Sequence, residues 1–468
     1  MDKQEKSKGI GIGAKSFLAA LLILLVLMCV SYLITFIVPG GTYNRVIATN
    51  GAESIEPETF REVEGGLPFW KWILSPFLVL GAPGSATIIA VIAFLLVIGG
   101  VFSALDHCGM MRYMLQKIVH RFAHRRYVLM AVIILFFMSM GAFIGSFEEC
   151  VPLVPIVVGL AVALGFDALT GLGMSLLAIG CGFASGVCNP FTVGVAQELS
   201  ALPMFSGMWF RIICFVLIYG LVLLFVRHHA KRVAKPLEEL HTSEEFVRDP
   251  KMDRALWVFA GLLGIGMASV LSSVFIKALQ DYTMIVVALT FLVAGISATL
   301  ISGMSAKSLG KQFLQGVIDI LPAVLMILMA SSIKYTLSEA HVLDSILHYA
   351  VGLAEQLPSF MMVLFIYLIV LIMNFFISSG SAKAFLLIPI VVPLAKLFDV
   401  SAQLSVLAFA FGDGFSNILY PTNPVLLISL GLAGVSYGKW FKWTWLFQLI
   451  MLIATSLLLL FGYAIGYC

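Results

Sequence analysis

Two stretches of the chain repeat one another at a fixed distance, and this repeat limits the fold more than any other feature. Pro155-Ile156-Val157-Val158 returns as Pro389-Ile390-Val391-Val392, 234 residues later (389 − 155). Leu160-Ala161 returns as Leu394-Ala395 and, without a gap, Asn189-Pro190 returns as Asn423-Pro424. Both copies are hydrophobic runs interrupted by Gly, Pro, Ser and Asn. Interrupted hydrophobic segments in matching positions of two halves point to the binding site of a secondary transporter. The composition places both copies in a bilayer. The 468 residues are 61% hydrophobic and 11% charged, against about 25% charged in a soluble domain, and the mean hydropathy is +1.05. A net charge of +3, with basic residues clustered in loops, offers no nucleic-acid surface. The seven cysteines have no CxxC or metal-ligand spacing and read as small buried apolar side chains.

Topology follows from the charge bias between loops. Lys3, Lys6, Lys8 and Lys15 precede an apolar run over 17–38. That run is longer than the ~7–15 residues of a signal-peptide core, so it reads as an uncleaved first membrane helix. Residues 40–68 carry Glu53, Glu56, Glu58, Glu62 and Glu64 against Arg45 and Arg61 and belong outside. His120, Arg121, His124, Arg125 and Arg126 belong inside, as do Lys231, Arg232 and Lys235. Several later runs are shorter than the ~20 residues needed to cross. Residues 172–195 go out and 212–226 come back, so 128–164 must enter and leave on the inner face. It is predicted to be a re-entrant hairpin with its tip near 145–149. In the second half, 256–274 goes out, 284–301 returns and 313–333 goes out. Residues 360–397 then form a hairpin from the outer face, with its tip near 378–383, and 404–432 crosses inward. Segments 110–122 and 342–356 alternate apolar and polar residues and read as interfacial helices. Arg112, Lys117, His120 and Arg121 make a charged, lipid-facing surface on the first.

The expected fold is therefore an all-α polytopic membrane protein of inverted repeats, with two re-entrant helical hairpins and two broken helices. Scaffold helices occupy 1–126 and 255–358. A transport domain is formed by 127–208 and 359–437. A returning helix with a cytoplasmic linker covers 209–254, and the final helix covers 438–468. The N-terminus is cytoplasmic and the C-terminus external.

Glycine and proline break the backbone ladder at 180–192 and 412–424. Unpaired backbone at membrane depth persists only where protein or a water-filled cavity satisfies it. Freed carbonyls and Ser, Thr or Asn oxygens suit a cation; half-helix N-termini suit an anion. Asn189 and Asn423 sit before the two prolines, with their amide atoms expected to face one shared cavity. Ionisable residues at this depth are functional candidates. Glu148 and Glu149 lie at the first tip, Asp413 lies between two glycines, and Lys383 occupies the position equivalent to Glu149. Glu149 and Lys383 are read either as a pair pinning the hairpins together or as ligands. Asp319 reads as a scaffold hydrogen-bonding group, and His107 and His341 as uninvolved.

Glu148-Glu149, Ser378-Ser379-Gly380-Ser381, Phe411-Gly412-Asp413-Gly414-Phe415-Ser416 and Tyr420-Pro421-Thr422-Asn423-Pro424 resemble the YfcC-type branch of the anaerobic C4-dicarboxylate carrier family, within the ion transporter superfamily. The likeness spans nearly the whole chain. It implies a scaffold and a transport domain moving as an elevator, a homodimer, and a bacterial inner membrane location. Related dicarboxylate transporters carry a Ser-Asn-Thr triplet after each hairpin. Here only Thr422-Asn423 and Cys188-Asn189 stand near the matching positions.

These readings converge on a secondary active transporter of a small carboxylate-bearing solute, either an amino acid, including a basic one, or a C4-dicarboxylate. It would be coupled to H⁺, to Na⁺ or to solute exchange. Substrate contacts are assigned to Ser146, Glu149, Asn189, Thr192, Ser379, Ser381, Lys383, Thr422 and Asn423. Coupling is assigned to Glu148, Glu149, Ser185, Asn189, Asp413, Ser416 and Asn423. No cofactor is implied, and no metal beyond a coupling Na⁺. A monovalent cation/proton antiporter is the alternative, since buried acids alone would serve it. No HExxH or Walker-type run supports an enzyme.

Overall fold

A computed structural model describes residues 14–47, 53–56, 59–83, 85–236, 248–272, 282–352 and 358–468. Lys3, Lys6, Lys8, Glu58, residue 356 and most of the cytoplasmic linker, 237–247, lie outside the described residues. The first half begins with α1 (Ala14–Ile37), followed by a loop with four short strands, β1 (Gly41–Thr42), β2 (Arg45–Ile47), β3 (Glu53–Ile55) and β4 (Arg61–Glu62). It continues through α2 (Phe69–Leu78), α3 (Ser85–His107), α4 (Met110–Phe122), α5 (Arg126–Ser139), α6 (Leu153–Ala163), α7 (Ala168–Leu172), α8 (Ala178–Ser185), α9 (Val195–Leu199) and α10 (Met208–Val233). The second half comprises α11 (Pro250–Ser272), α12 (Thr283–Ile301), α13 (Ala306–Glu339), α14 (Val342–Gly352), α15 (Ser359–Phe376), α16 (Gly380–Leu397), α17 (Ala402–Gly414), α18 (Pro424–Leu432) and α19 (Tyr437–Ala464). Eight helices among the described residues are long and apolar enough to cross a membrane.

The all-helical expectation needs one correction. β1 pairs with β4 and β2 with β3, both antiparallel, in two small ribbons. They are held against α14 by Asp344, which accepts from the Tyr43 amide at 3.1 Å and pairs with Arg45 at 2.9 Å. Burial, reinforced by the Asp344 charge, pushes the Tyr43 hydroxyl up to about 12.

Two hydrogen-bond clusters mark opposite ends of the bundle. At one end the Arg126 guanidinium donates to the Leu164 carbonyl at 3.1 Å and the Lys235 carbonyl at 3.0 Å. The Lys235 amide donates to Gly165 O at 2.9 Å. The start of α5, the end of α6 and the end of α10 therefore meet. At the other end Tyr467 donates to Gly207 O at 2.8 Å, and Ser401 Oγ donates to Tyr467 O at 2.5 Å. Here the start of α10, the start of α17 and the end of α19 meet.

The packing falls into two groups. α1 lies along α13, α12 lies along α3, and α3 lies along α13. α5 packs on α8, α15 on α17, and α8 on α17. Little hydrophobic force acts between helices in lipid, so close approach through small residues does the work. A Cβ on Gly316 of α13 would lie 2.1 Å from the Gly99 carbonyl of α3. A Cβ on Gly414 of α17 would lie 2.1 Å from Ala184 Cα of α8. The α4 surface is not wholly lipid-facing. Lys117 Nζ donates to Asp253 of α11 at 2.5 Å, and Tyr113 and Arg248 bond the same carboxylate. Those three donors hold the Asp253 carboxyl well below the usual carboxylate range, Lys117 contributing most. Asp319 is hydrogen-bonded by Gln315 at 2.9 Å, one turn away on its own helix.

Candidate functional site

Both Asn-Pro breaks form for the same local reason. Proline disfavours the helical conformation in the residue before it, and at the first helical position its missing N–H costs nothing. Asn189 and Asn423 are accordingly extended, with ψ of 114° and 115°, and each caps the helical segment that follows. Asn189 Oδ1 accepts from the Phe191 and Thr192 amides at 2.9 and 3.3 Å. Asn423 Oδ1 accepts from the Val425 amide at 2.9 Å. The amide oxygens are thus committed to the backbone rather than free. Asn423 Nδ2 donates to Asn417 Oδ1 at 3.0 Å. Asn189 Nδ2 is buried with no partner among the described residues. Neither asparagine lines the main cavity described below.

A charged network lies beneath the second tip. Lys383 on α16 and Asp413 on α17 are both 0% exposed. The Lys383 ammonium donates to Asp413 Oδ1 and Asn374 Oδ1. Asn374 Nδ2 donates to Ser416 Oγ at 2.6 Å, and to Asp413 O and Asn417 Oδ1 at 3.2 Å each. Ser416 Oγ donates back to Gly412 O at 2.8 Å. Lys383 thus finds its carboxylate in Asp413 rather than in Glu149. Asp413 Oδ2, Thr192 Oγ1 and Thr422 Oγ1 are buried without a partner among the described residues. A Cβ on Gly380 would lie 2.5 Å from Thr192 Cγ2 and 2.6 Å from Asp413 Oδ2, so the start of α16 and both breaks converge there. A buried polar atom left unpaired in a native fold calls for an explanation, and a bound ion, water or ligand is the usual one.

Above this network is a cavity of about 500 Å³. Its walls come from α3 and α13 on one side, and from the second tip, the start of α18 and Glu148 on the other. Ser379 caps α16, and Ser381 and Thr422 face the same space. Two helix N-termini therefore open onto the cavity, a setting that favours an anion. Lys334 of α13 lines the opposite wall and has no hydrogen bond or ion pair among the described residues. From Ile327 to Glu339 the α13 wall covers about 18 Å of helix.

The assigned residues divide between this space and others. Ser379, Ser381, Thr422 and Glu148 surround the cavity. Ser146 and Glu149 lie in a separate void of about 50 Å³ against Leu263, Met267, Thr290 and Phe291 of α11 and α12. Ser185 Oγ is turned back onto Cys181 O at 3.1 Å. Sequence reasoning missed Lys334, Asn374 and Asn417. Lys334 directly follows the apolar run that ends at residue 333 and looks like the flank of a span, whereas α13 continues to Glu339.

The chain is similar to several known proteins. Along 31% identity over 405 residues, covering 81% of this chain and 79% of the relative, the chain is similar to the Escherichia coli K12 protein named "Putative basic amino acid antiporter YfcC". It is also 23% identical to an "Uncharacterized protein" of Haemophilus influenzae over 388 residues, covering 80% of this chain and 76% of that one. Among solved structures, the Alcanivorax borkumensis YdaH transporter aligns over 96% of this chain and 98% of its own at 17% identity and a TM-score of 0.44. Neisseria gonorrhoeae MtrF, described as one of a class of antimetabolite efflux pumps, aligns over 94% of each chain at 15% identity and a TM-score of 0.42. The family profile described as C4-dicarboxylate anaerobic carrier matches residues 17–464, nearly the whole chain, and the protein is therefore a multi-pass membrane transporter belonging to that family.

Proposed function

We propose that the chain is a secondary active transporter of a small solute bearing a carboxylate, and that the solute binds in the 500 Å³ cavity. The observation that carries this reading is Lys334, a cation without a partner among the described residues, facing two helix N-termini across that space. A carboxylate there would meet an ammonium, the positive N-terminal ends of α16 and α18, and the hydroxyls of Ser381 and Thr422. Glu148 on the facing wall suits an amino group, which favours an amino acid over a C4-dicarboxylate. The name of the Escherichia coli relative points the same way. A cation/proton antiporter is disfavoured, because Lys334 would repel its cargo at the cavity wall.

Alternating access is read as an elevator. The two hairpins and two broken helices form the moving group, and α1, α3, α12 and α13 form the static one. The Arg126 tie between the two ends of the first hairpin supports its re-entrant reading. The matched pairs α1–α13 and α12–α3 support the inverted repeat. With the charge-bias orientation, the cavity opens outward. The test is uptake into proteoliposomes of a labelled panel of amino acids and dicarboxylates, with Na⁺, H⁺ and counter-solute gradients imposed separately. Gradient-driven accumulation of an amino acid is expected. Accumulation of dicarboxylates alone would move the assignment to that class, and no accumulation of either would refute the reading.

A further inference from the structure

We propose that the Lys383 ammonium is a tethered cation: it fills an oxygen site that would otherwise take Na⁺, and solute movement is not coupled to Na⁺. This rests on the transporter reading above. The ligands around the ammonium are the types a hard cation selects, a carboxylate and amide oxygens. Asp413 Oδ1 and Asn374 Oδ1 touch it. Asn374 Nδ2 gathers Asp413 O, Ser416 Oγ and Asn417 Oδ1 within 3.2 Å of itself, next to the same ammonium. Exposure is 0–4% across Lys383, Asp413, Asn374, Ser416 and Asn417, so bulk water does not reach the set. Within the set one carboxylate faces one ammonium, while Glu148, which interacts with the Asp413 charge, stands outside it on the cavity wall. A Na⁺ added beside the ammonium would leave the set with a net positive charge in a dry interior.

The repeat supplies an independent argument. The positions 234 residues before Asn374, Asp413, Ser416 and Asn417 are Met140, Ile179, Gly182 and Phe183, and the position before Lys383 is Glu149. The first copy holds neither the lysine nor any side-chain oxygen of the set. The oxygen cage and its ammonium therefore occur together in one copy and are missing together from the other.

The experiment uses the purified full chain in detergent and in proteoliposomes, in NaCl, choline chloride or methylammonium chloride at equal ionic strength. The wild type is expected to show the same Tm and the same uptake rate in NaCl and choline chloride. Lys383→Ala empties the ammonium position and leaves Asp413 unbalanced. Its Tm is expected to rise by several degrees in NaCl or methylammonium chloride relative to choline chloride. The double variant K383A/D413N should lose that response, because the carboxylate that attracts the cation is gone. A higher wild-type Tm in NaCl, uptake that falls threefold or more without Na⁺, or a folded K383A indifferent to both small cations would overturn the proposal. Where K383A does not survive purification, the wild-type comparison decides: equal Tm values support the proposal and a Na⁺-dependent Tm overturns it. Failure of all solutes to accumulate would strike the transporter reading, while the Tm series would still judge the tethered cation.

Discussion

Gly145→Ala is expected to damage the protein at the point where the turn between α5 and α6 rests on Asn189. Gly145 has φ of +78°, in the left-handed region. An alanine there costs about 1–2 kcal/mol on conformation alone. The new methyl group would also lie 2.2 Å from Asn189 Oδ1 and 2.8 Å from its Nδ2. Asn189 is 0% exposed, and its Oδ1 caps the helical turn beginning at Pro190, so it can move aside only by releasing the cap. Losing an asparagine cap costs ~1 kcal/mol. Together the two effects predict a loss of about 2–3 kcal/mol and, because Asn189 and Thr192 are displaced together, slower uptake. Gly220→Ala on α10 is the control, since a Cβ there meets nothing within 4 Å. Replacing a helical glycine with alanine gains about 0.5–1 kcal/mol. Thermal unfolding of both variants in detergent, with uptake measured in parallel, separates the cases. A Gly145→Ala protein with wild-type Tm and wild-type uptake would refute the claim that this tip is fitted to the break.

Two further outcomes follow from the buried and terminal charges. Asp413→Asn should destabilise the protein by about 3–5 kcal/mol by stranding the Lys383 ammonium, and pairing it with Lys383→Met should restore most of the lost Tm. At the end of the bundle, burial pushes the Asp167 carboxyl up, but hydrogen bonds from His229 and Thr170 outweigh this and bring it down to about 2. Its folded value lies below the ~3.9 of an unfolded aspartate. Its stabilising contribution is therefore complete above about pH 4 and lost as the pH falls towards 2. Asp167→Asn should lower Tm at neutral pH and flatten the acid limb of a Tm-against-pH curve. An acid limb identical to wild type would contradict this.

The parts legible in the sequence were those with local chemical causes. Glycine, proline and asparagine mark the breaks because they alter the backbone wherever they stand, and the structure starts new helical segments at Pro190 and Pro424. The helical spacing read over 110–122 appears as α4 over those residues. Contacts made by folding were not legible. The offset relates Glu149 to Lys383, but equivalent positions in two copies meet only near a symmetry axis. Lys383 instead reaches Asp413, 30 residues on within its own copy. Hydropathy stops at Ile333, so nothing local marks Lys334 as facing a cavity. Asn374 ends an apolar run and carries no signal that its amide gathers three oxygens. The short strands form because the loop that carries them is pinned by Asp344, some three hundred residues away.

The central claim is that Lys334 holds the carboxylate of the transported solute, and Lys334→Gln tests it most directly. A charge-assisted hydrogen bond is worth about 1.5–3 kcal/mol, which corresponds to a rise of roughly 10- to 150-fold in the half-saturating solute concentration. The measurement is the concentration dependence of uptake in proteoliposomes, for an amino acid and for its decarboxylated amine as competitor. The account predicts that Lys334→Gln weakens the amino acid by that factor and leaves inhibition by the amine little changed. Wild-type half-saturation for the amino acid in Lys334→Gln, in a protein that still folds and transports, would contradict it.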